Sequence, residues 1–195
     1  MKKDPKDSQA YQRILSTASD LFYRNGYRAT GINEIIRKSG VAKATFYAHF
    51  PSKESLALAY VKTMNEREIR NTAEGIRHYP GPYEKLIGML TFMIPWSAER
   101  RYRGCAYLNM ASEIPDHGNP VRHESANHYR AVRSIVGVLM DELKAKRGKA
   151  WKNRKAAEVA DDYMLLFAGA LSMAQVYHHK SPIEEAIEAA KRLLR

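Results

Sequence analysis

The chain has a single cysteine, Cys105, in 195 residues. That excludes an internal disulfide framework and makes a reducing compartment the expected setting. Long apolar runs are missing as well. The most apolar stretch, residues 86–96, is broken by Gly88, Thr91 and Pro95. It falls far short of the ~20 residues a membrane span requires. The charged start MKKDPKDSQAY has no apolar segment behind it, so no secretory signal is expected and the chain reads as soluble and cytoplasmic. A phosphate-binding glycine loop, a nucleophile elbow and a paired-carboxylate pattern are all wanting, so neither enzymatic activity nor a cofactor is expected. Acidic residues are under-supplied: 21 Asp+Glu face 32 Lys+Arg, a formal net charge of +11. A balance that basic suits a polyanionic partner, although part of the surplus also serves solubility.

What is there is helical throughout. Ala10, Ile14, Ala18, Leu21 and Phe22 share one face of a first helix that stops at Asn25-Gly26. Thr30 is expected to cap a short second helix carrying Ile35 and Ile36, which ends at Ser39-Gly40. A third runs from Val41 to about Phe50-Pro51, and Ser52 caps a fourth that continues towards Ile76. Tyr79-Pro80-Gly81-Pro82 is a break. A fifth helix covers about 83–99 and a short sixth 106–113, after a polar Arg-Arg-Tyr-Arg-Gly linker. Asn119-Pro120 has the cap and first-turn proline of a seventh reaching about Gly148. An eighth spans about 154–179, and Ser181 to Glu184 has capping-box spacing for a ninth. No β-hairpin signal or repeat interrupts the series, and the class is all-α with about nine helices.

In residues 39–56, SGVAKATFYAHFPSKESL, the second helix ends, a glycine turn follows and the third helix begins; helix, turn, helix is the helix-turn-helix arrangement. At about 100° per residue, Phe46 and Phe50 point inward with Val41. Ala44, Thr45 and Ala48 then point away from them, flanked by Tyr47 and His49, with Lys43 at the N-terminal end. Small outward residues allow a helix to enter a major groove, and the flanking polar groups can meet phosphates on its walls. Residues 1–53 hold ten basic and four acidic side chains, +6 of the +11. Lys2, Lys3 and Lys6 would suit a basic arm along a duplex. Helical hairpins with a glycine turn also occur in proteins that bind no DNA, so a helical small-molecule-binding protein or enzyme stays open as the alternative.

From Ala18 the chain reads ASDLFYRNGYRATGINEIIRKSGVAKATFYAHFPSKESL. This run resembles the DNA-binding domain of the TetR family of bacterial transcriptional regulators. The resemblance rests on Gly26-Tyr27, Thr30, the Gly40-Val41 turn, and the Tyr47, His49, Phe50, Lys53 and Leu56 series, with a weaker echo at Gly104 to Asn109. It implies a helix-turn-helix domain over 1–52 and a ligand-binding and dimerisation domain over 53–195. Thr30, Lys43, Tyr47 and Lys53 are then expected on backbone phosphates. Ala44, Thr45 and His49 are expected to face the groove, with Thr45 the nearest to direct base contact. Ala42 and Ala44 depart from the Ser and Gly frequent in the family. The implied partners are a roughly palindromic double-stranded operator, a small-molecule effector and a second copy of the chain, and the implied role is a repressor released by the effector.

The later helices carry signals of uneven sharpness. The eighth is apolar nearly all round, including Val159, Tyr163, Phe167, Leu171, Met173 and Val176, with Ala168-Gly169-Ala170 permitting close approach of another backbone. Ile183, Ile187, Ala190 and Leu194 make one stripe on the ninth, so these two helices are expected to form a four-helix interface with a partner copy. Met64, Met89, Phe92, Met93, Trp96, Tyr107, Met110, Tyr129, Tyr163 and Phe167 mix adaptable methionine with aromatics and are the candidate effector contacts. Each serves equally well as plain core. Cys105 follows three arginines and has the setting of a thiolate sensor or of a small buried hydrophobe. Glu124 and His128 have the i,i+4 spacing of metal ligands, but no second pair accompanies them and no metal is assigned.

Overall fold

A computed structural model describes residues 8–195; the proposed basic arm of Lys2, Lys3 and Lys6 lies outside them. Each helix begins and ends for a local reason. Ser8 caps α1 (Gln9–Asn25) by accepting the Tyr11 amide, and Gly26, at φ +96°, ends it. Gly40 closes α2 (Ile32–Ser39) in the left-handed conformation that glycine adopts without strain. The third helix, α3 (Lys43–His49), starts at Ala42 with no side-chain cap, the cost of the missing serine being about 1 kcal/mol. At the head of α4 (Lys53–Ile76) Ser52 and Ser55 each accept the other's backbone N–H, a reciprocal cap. Pro82 opens α5 (Pro82–Glu99), which continues past Pro95, and α6 spans Ala106–Glu113. The Asn119 side chain accepts the Val121 amide at the start of α7 (Pro120–Arg147). A 3-10 turn over Gly148–Trp151 leads to α8 (Ala156–Tyr177) and α9 (Ser181–Leu193). Nine α-helices therefore account for the regular structure among the described residues.

These helices gather into two compact units. The first takes the chain up to Glu66 together with Ala106–Asn127, and the second takes Arg67–Cys105 and His128–Arg195, so α4 and α7 each pass from one into the other. The first is centred on Ile14, Leu15, Ala18, Leu21 and Phe22 of α1, Ile35 of α2, Phe46 of α3 and Leu56 and Tyr60 of α4. The second is built on α5, α8 and α9, with α9 laid against both of the others. The Tyr163 hydroxyl donates to the Leu86 carbonyl at 2.6 Å inside this core, tying α8 to α5. Trp151 is wholly buried and its indole N–H donates to the Arg195 carbonyl at 2.9 Å.

Two sequence expectations change here. The α9 stripe of Ile183, Ile187, Ala190 and Leu194 is buried within its own chain, which leaves none of it for a partner. The reason is that α5 supplies Leu86, Leu90 and Met93 as an apolar bed close by in the same unit. At its start, Ser181 is helical rather than capping: Lys180 is the cap residue, and its ammonium pairs with Glu184 at 2.8 Å. In contrast, α8 does carry an unburied apolar stripe. Leu165 (74% exposed), Gly169, Met173 and Val176 (71%) recur at helical spacing, and Tyr177 adjoins them.

Changing Tyr163 to Phe removes one buried hydrogen bond at almost constant volume. It should lower unfolding free energy by about 1 kcal/mol, read as a shift in the urea midpoint at unchanged slope; an unmoved midpoint would show that the bond contributes nothing.

Candidate nucleic-acid interface

The geometry of α3 follows from two phenylalanines. Phe46 is fully buried and Phe50 nearly so. Phe50 stacks on Tyr11 of α1, with ring centroids 4.8 Å apart, and Phe46 meets Phe50 at 6.2 Å. Aromatic burial of this kind contributes several kcal/mol for each ring. With that side fixed, Lys43, Ala44, Tyr47 and Ala48 are exposed, while Thr45 and His49 are half-buried on the same open side. Tyr47 is 40% exposed, and its ring is braced edge-on by Phe46 at 5.3 Å, so the hydroxyl is carried outward on a supported ring. His49 is steadied by the Tyr11 ring at 6.0 Å and by the Ser8 hydroxyl, 3.3 Å from Nε2. Neither Tyr11 nor Ser8 belongs to the expected contact set; their signal was only the cap position of Ser8.

Lys53 is held more firmly than a surface lysine. Its ammonium lies 4.5 Å from the centroid of the Tyr27 ring and donates to the Arg28 carbonyl at 3.4 Å. Partial burial lowers its proton affinity from the ordinary value, and the negative charge of Glu113 works in the opposite direction. The cation is thus presented from a platform made by the turn between α1 and α2.

Thr30 leaves the contact set. It is completely buried, and its hydroxyl donates to the Gly26 carbonyl at 2.7 Å and approaches the Leu21 carbonyl at 3.3 Å. Gly31, not Thr30, is the cap residue of α2, and no side chain caps that end. The physical reason is that the Gly26 carbonyl, just past the end of α1, needs a donor, and the Thr30 hydroxyl four residues on supplies it inside the core.

Matches to known families bear on this geometry. Residues 14–60 match the family model described as bacterial regulatory proteins, tetR family, and residues 82–190 match that of the tetracyclin repressor-like C-terminal domain. The chain belongs to the TetR family. TetR-family membership makes it a helix-turn-helix transcriptional regulator. Among its relatives is the HTH-type transcriptional regulator LmrA of Bacillus subtilis, 31% identical over 126 residues, which are 64% of this chain and 67% of that protein. The HTH-type transcriptional activator FasR of Mycolicibacterium smegmatis is 38% identical over 73 residues, but these span 37% of this chain and 31% of FasR. A TetR-family transcriptional regulator from Streptomyces coelicolor superposes with a TM-score of 0.85 at 25% identity, covering 96% of this chain and 89% of that one.

The TetR-like C-terminal helices place the remaining candidates unevenly. In the first unit Tyr107 and Met110 are buried and Met64 is half-buried. In the second, Met89 and Met93 are buried, and Trp96, Tyr129 and Phe167 are half-buried. Two of the candidates stand apart from the rest. Phe92 stands 63% exposed on α5, because Leu86, Met89, Leu90 and Met93 define the inward side of that helix. Tyr163 has its hydroxyl committed to Leu86. The Tyr129 hydroxyl donates to the buried Cys105 sulfur at 3.3 Å, and burial, reinforced by Cys105, pushes its phenol far above the ordinary range. Beside it is His128, missed as a core residue. Glu124 accepts hydrogen bonds from Asn65 and Asn127. No group of three or more His, Cys, Asp or Glu among the described residues is placed to hold a metal ion. No helix among them is long and apolar enough to cross a membrane.

Burial pushes the His128 imidazole down to about 4, and the Glu68 carboxylate, 4.0 Å from Nε2, does not restore it. The folded chain therefore keeps this ring neutral where an unfolded chain, titrating near the ordinary 6.5, takes up a proton. Its contribution is fully present above about pH 6.5 and is lost as pH falls towards 4, a total on the order of 3 kcal/mol. His128→Gln should flatten the fall in urea midpoint between pH 7 and pH 4.5; equal acid sensitivity in the two proteins would contradict the assignment.

Proposed function

We propose that this regulator is a ligand-responsive repressor that binds a roughly palindromic operator as a homodimer and leaves it when a small molecule binds the C-terminal helices. The observation that carries the DNA-reading part is the open side of α3, bare at Ala44 and Ala48 and equipped with Lys43, Tyr47 and His49 around it. Alanines bring the helix axis close to base edges, where Thr45 offers a hydroxyl and a methyl and Ala44 a methyl for thymine. Lys43, Tyr47 and Lys53 neutralise or hydrogen-bond backbone phosphates and set the register.

Dimerisation is supported by the unburied α8 stripe of Leu165, Gly169, Met173 and Val176, since an apolar stripe of that length is seldom left to water. A two-fold pair also places two recognition helices in successive major grooves, about 34–36 Å apart. Effector control requires only a few kcal/mol of differential affinity between two states. Within the second unit, the half-buried Trp96, Tyr129 and Phe167 are the side chains with both apolar surface and room to adjust. Because α4 and α7 are covalently continuous through both units, they are the routes by which binding in one alters the other.

The binding assignment is tested on the duplex that the protein itself enriches from a random-sequence pool. Tyr47→Phe and Lys53→Ala should weaken binding to every duplex, the latter reducing the salt slope by about one, while Thr45→Ala should change the preference among them. Wild-type affinity in all three would refute the contact assignment, and a protein that enriches nothing and shows no salt-dependent binding is not a DNA reader.

The dimer is tested by introducing charge on the exposed stripe. Val176→Asp and Leu165→Asp should each sediment as monomers with an unchanged helical spectrum, and an unaltered sedimentation profile would move the interface elsewhere.

A further inference from the structure

We infer that Glu113, at the end of α6 and far from the recognition helix in sequence, is a positioning residue for DNA binding: it holds the α1–α2 turn on which the side chain of Lys53 rests. The inference rests on the reading of Lys53 as a phosphate contact. One carboxylate oxygen of Glu113 accepts the Arg28 backbone N–H at 2.6 Å, and the Glu113 carbonyl accepts Nε of the Arg28 guanidinium at 2.7 Å. The other oxygen lies against bare backbone, since a Cβ built on Gly26 would come within 2.7 Å of it. The same three-residue turn, Gly26-Tyr27-Arg28, supplies both supports of Lys53: the Tyr27 ring below its ammonium and the Arg28 carbonyl beside it.

The end of α6 is itself fixed. The Arg122 guanidinium of α7 donates to the Ala111 and Ile114 carbonyls on either side of Glu113. Asn119, just before α7, donates to the Glu54 carboxylate at 2.7 Å, next to Lys53 in sequence. All these residues belong to the first compact unit, so α6 and the start of α7 are built into the DNA-reading body.

A carboxylate near a phosphate-binding lysine works against DNA electrostatically, which raises the question of which effect is larger. Repulsion between the Glu113 carboxylate and duplex phosphates is weakened by counterions, with a Debye length of about 8 Å at physiological salt. A charge-assisted bond to a backbone amide is local and unscreened, and it decides where the turn sits. Positioning is therefore the dominant role, and the acceptor atom matters more than the negative charge.

The test uses the full chain and the duplex it selects from the random pool, with K53A, E113A, E113Q and the E113A/K53A double variant. E113A, which leaves the Arg28 amide without its acceptor, should weaken binding roughly tenfold and lower the salt slope by about one. E113Q keeps an oxygen for that amide and should restore most of the affinity. Adding K53A to E113A should change little further, because Lys53 is already misplaced. Unchanged or tighter binding by E113A overturns the inference, as does an E113Q as weak as E113A. Losses that simply add in the double variant, with the E113A salt slope unaltered, reduce Glu113 to general support and overturn it too. If K53A alone is silent, the phosphate-contact reading falls and takes this inference with it; if K53A weakens binding and E113A is uncoupled from it, only the inference falls. Far-UV thermal melts of each variant establish that a folded protein is being compared.

Discussion

Burial of Phe46 and of Phe50 at its end decides which side of the seven-residue helix α3 stays open. A helix so short has little stability of its own, and α3 has no side-chain cap to help it. Its direction is set by two aromatic anchors, Phe50 stacked on Tyr11 and Phe46 sealed among the helices of the first unit. Everything on the opposite side can then be small, because nothing there is needed to hold the helix down. Packing and open surface are thus separated on one short helix.

Much of this was legible in the sequence because its causes are local. Gly26 and Gly40 mark real helix ends, one at φ +96° and the other left-handed. The Phe46–Phe50 spacing points inward as helical periodicity requires, and Asn119 caps α7 as its place before Pro120 suggests. The sequence misled where partners are distant or ambiguous. Thr30 has the chemistry of a cap and of a phosphate ligand, yet the buried Gly26 carbonyl just past α1 takes its hydroxyl. An apolar stripe says that a helix face is covered but not by whose atoms, so α9 could be assigned to a partner when its own chain covers it. Nothing near Glu113 in the sequence points to its bond with the Arg28 amide, which exists only once α6 has folded beside the α1–α2 turn.

The two units treat apolar surface differently. In the first, the large apolar side chains of α1 and α3 are consumed internally, and the open side of α3 is left with alanine, threonine, polar groups and the Tyr47 ring. In the second, α8 buries Val159, Tyr163, Leu171 and Ala174 while leaving Leu165 and Val176 to water. Water tolerates the first arrangement indefinitely and penalises the second, which is why association is the natural completion of the C-terminal helices.

Trp96 and Trp151 are the two tryptophans of the chain, and both fall in the second unit. Trp151 is sealed from solvent, whereas Trp96 is half-open with the Arg100 guanidinium 4.6 Å above its ring. Indole emission excited at the red edge therefore reports only on the C-terminal helices and is blind to the DNA-reading body. Tyrosine absorbance, drawn from residues in both units, sees the whole molecule, so the two optical signals together distinguish sequential melting of the units from a single concerted one.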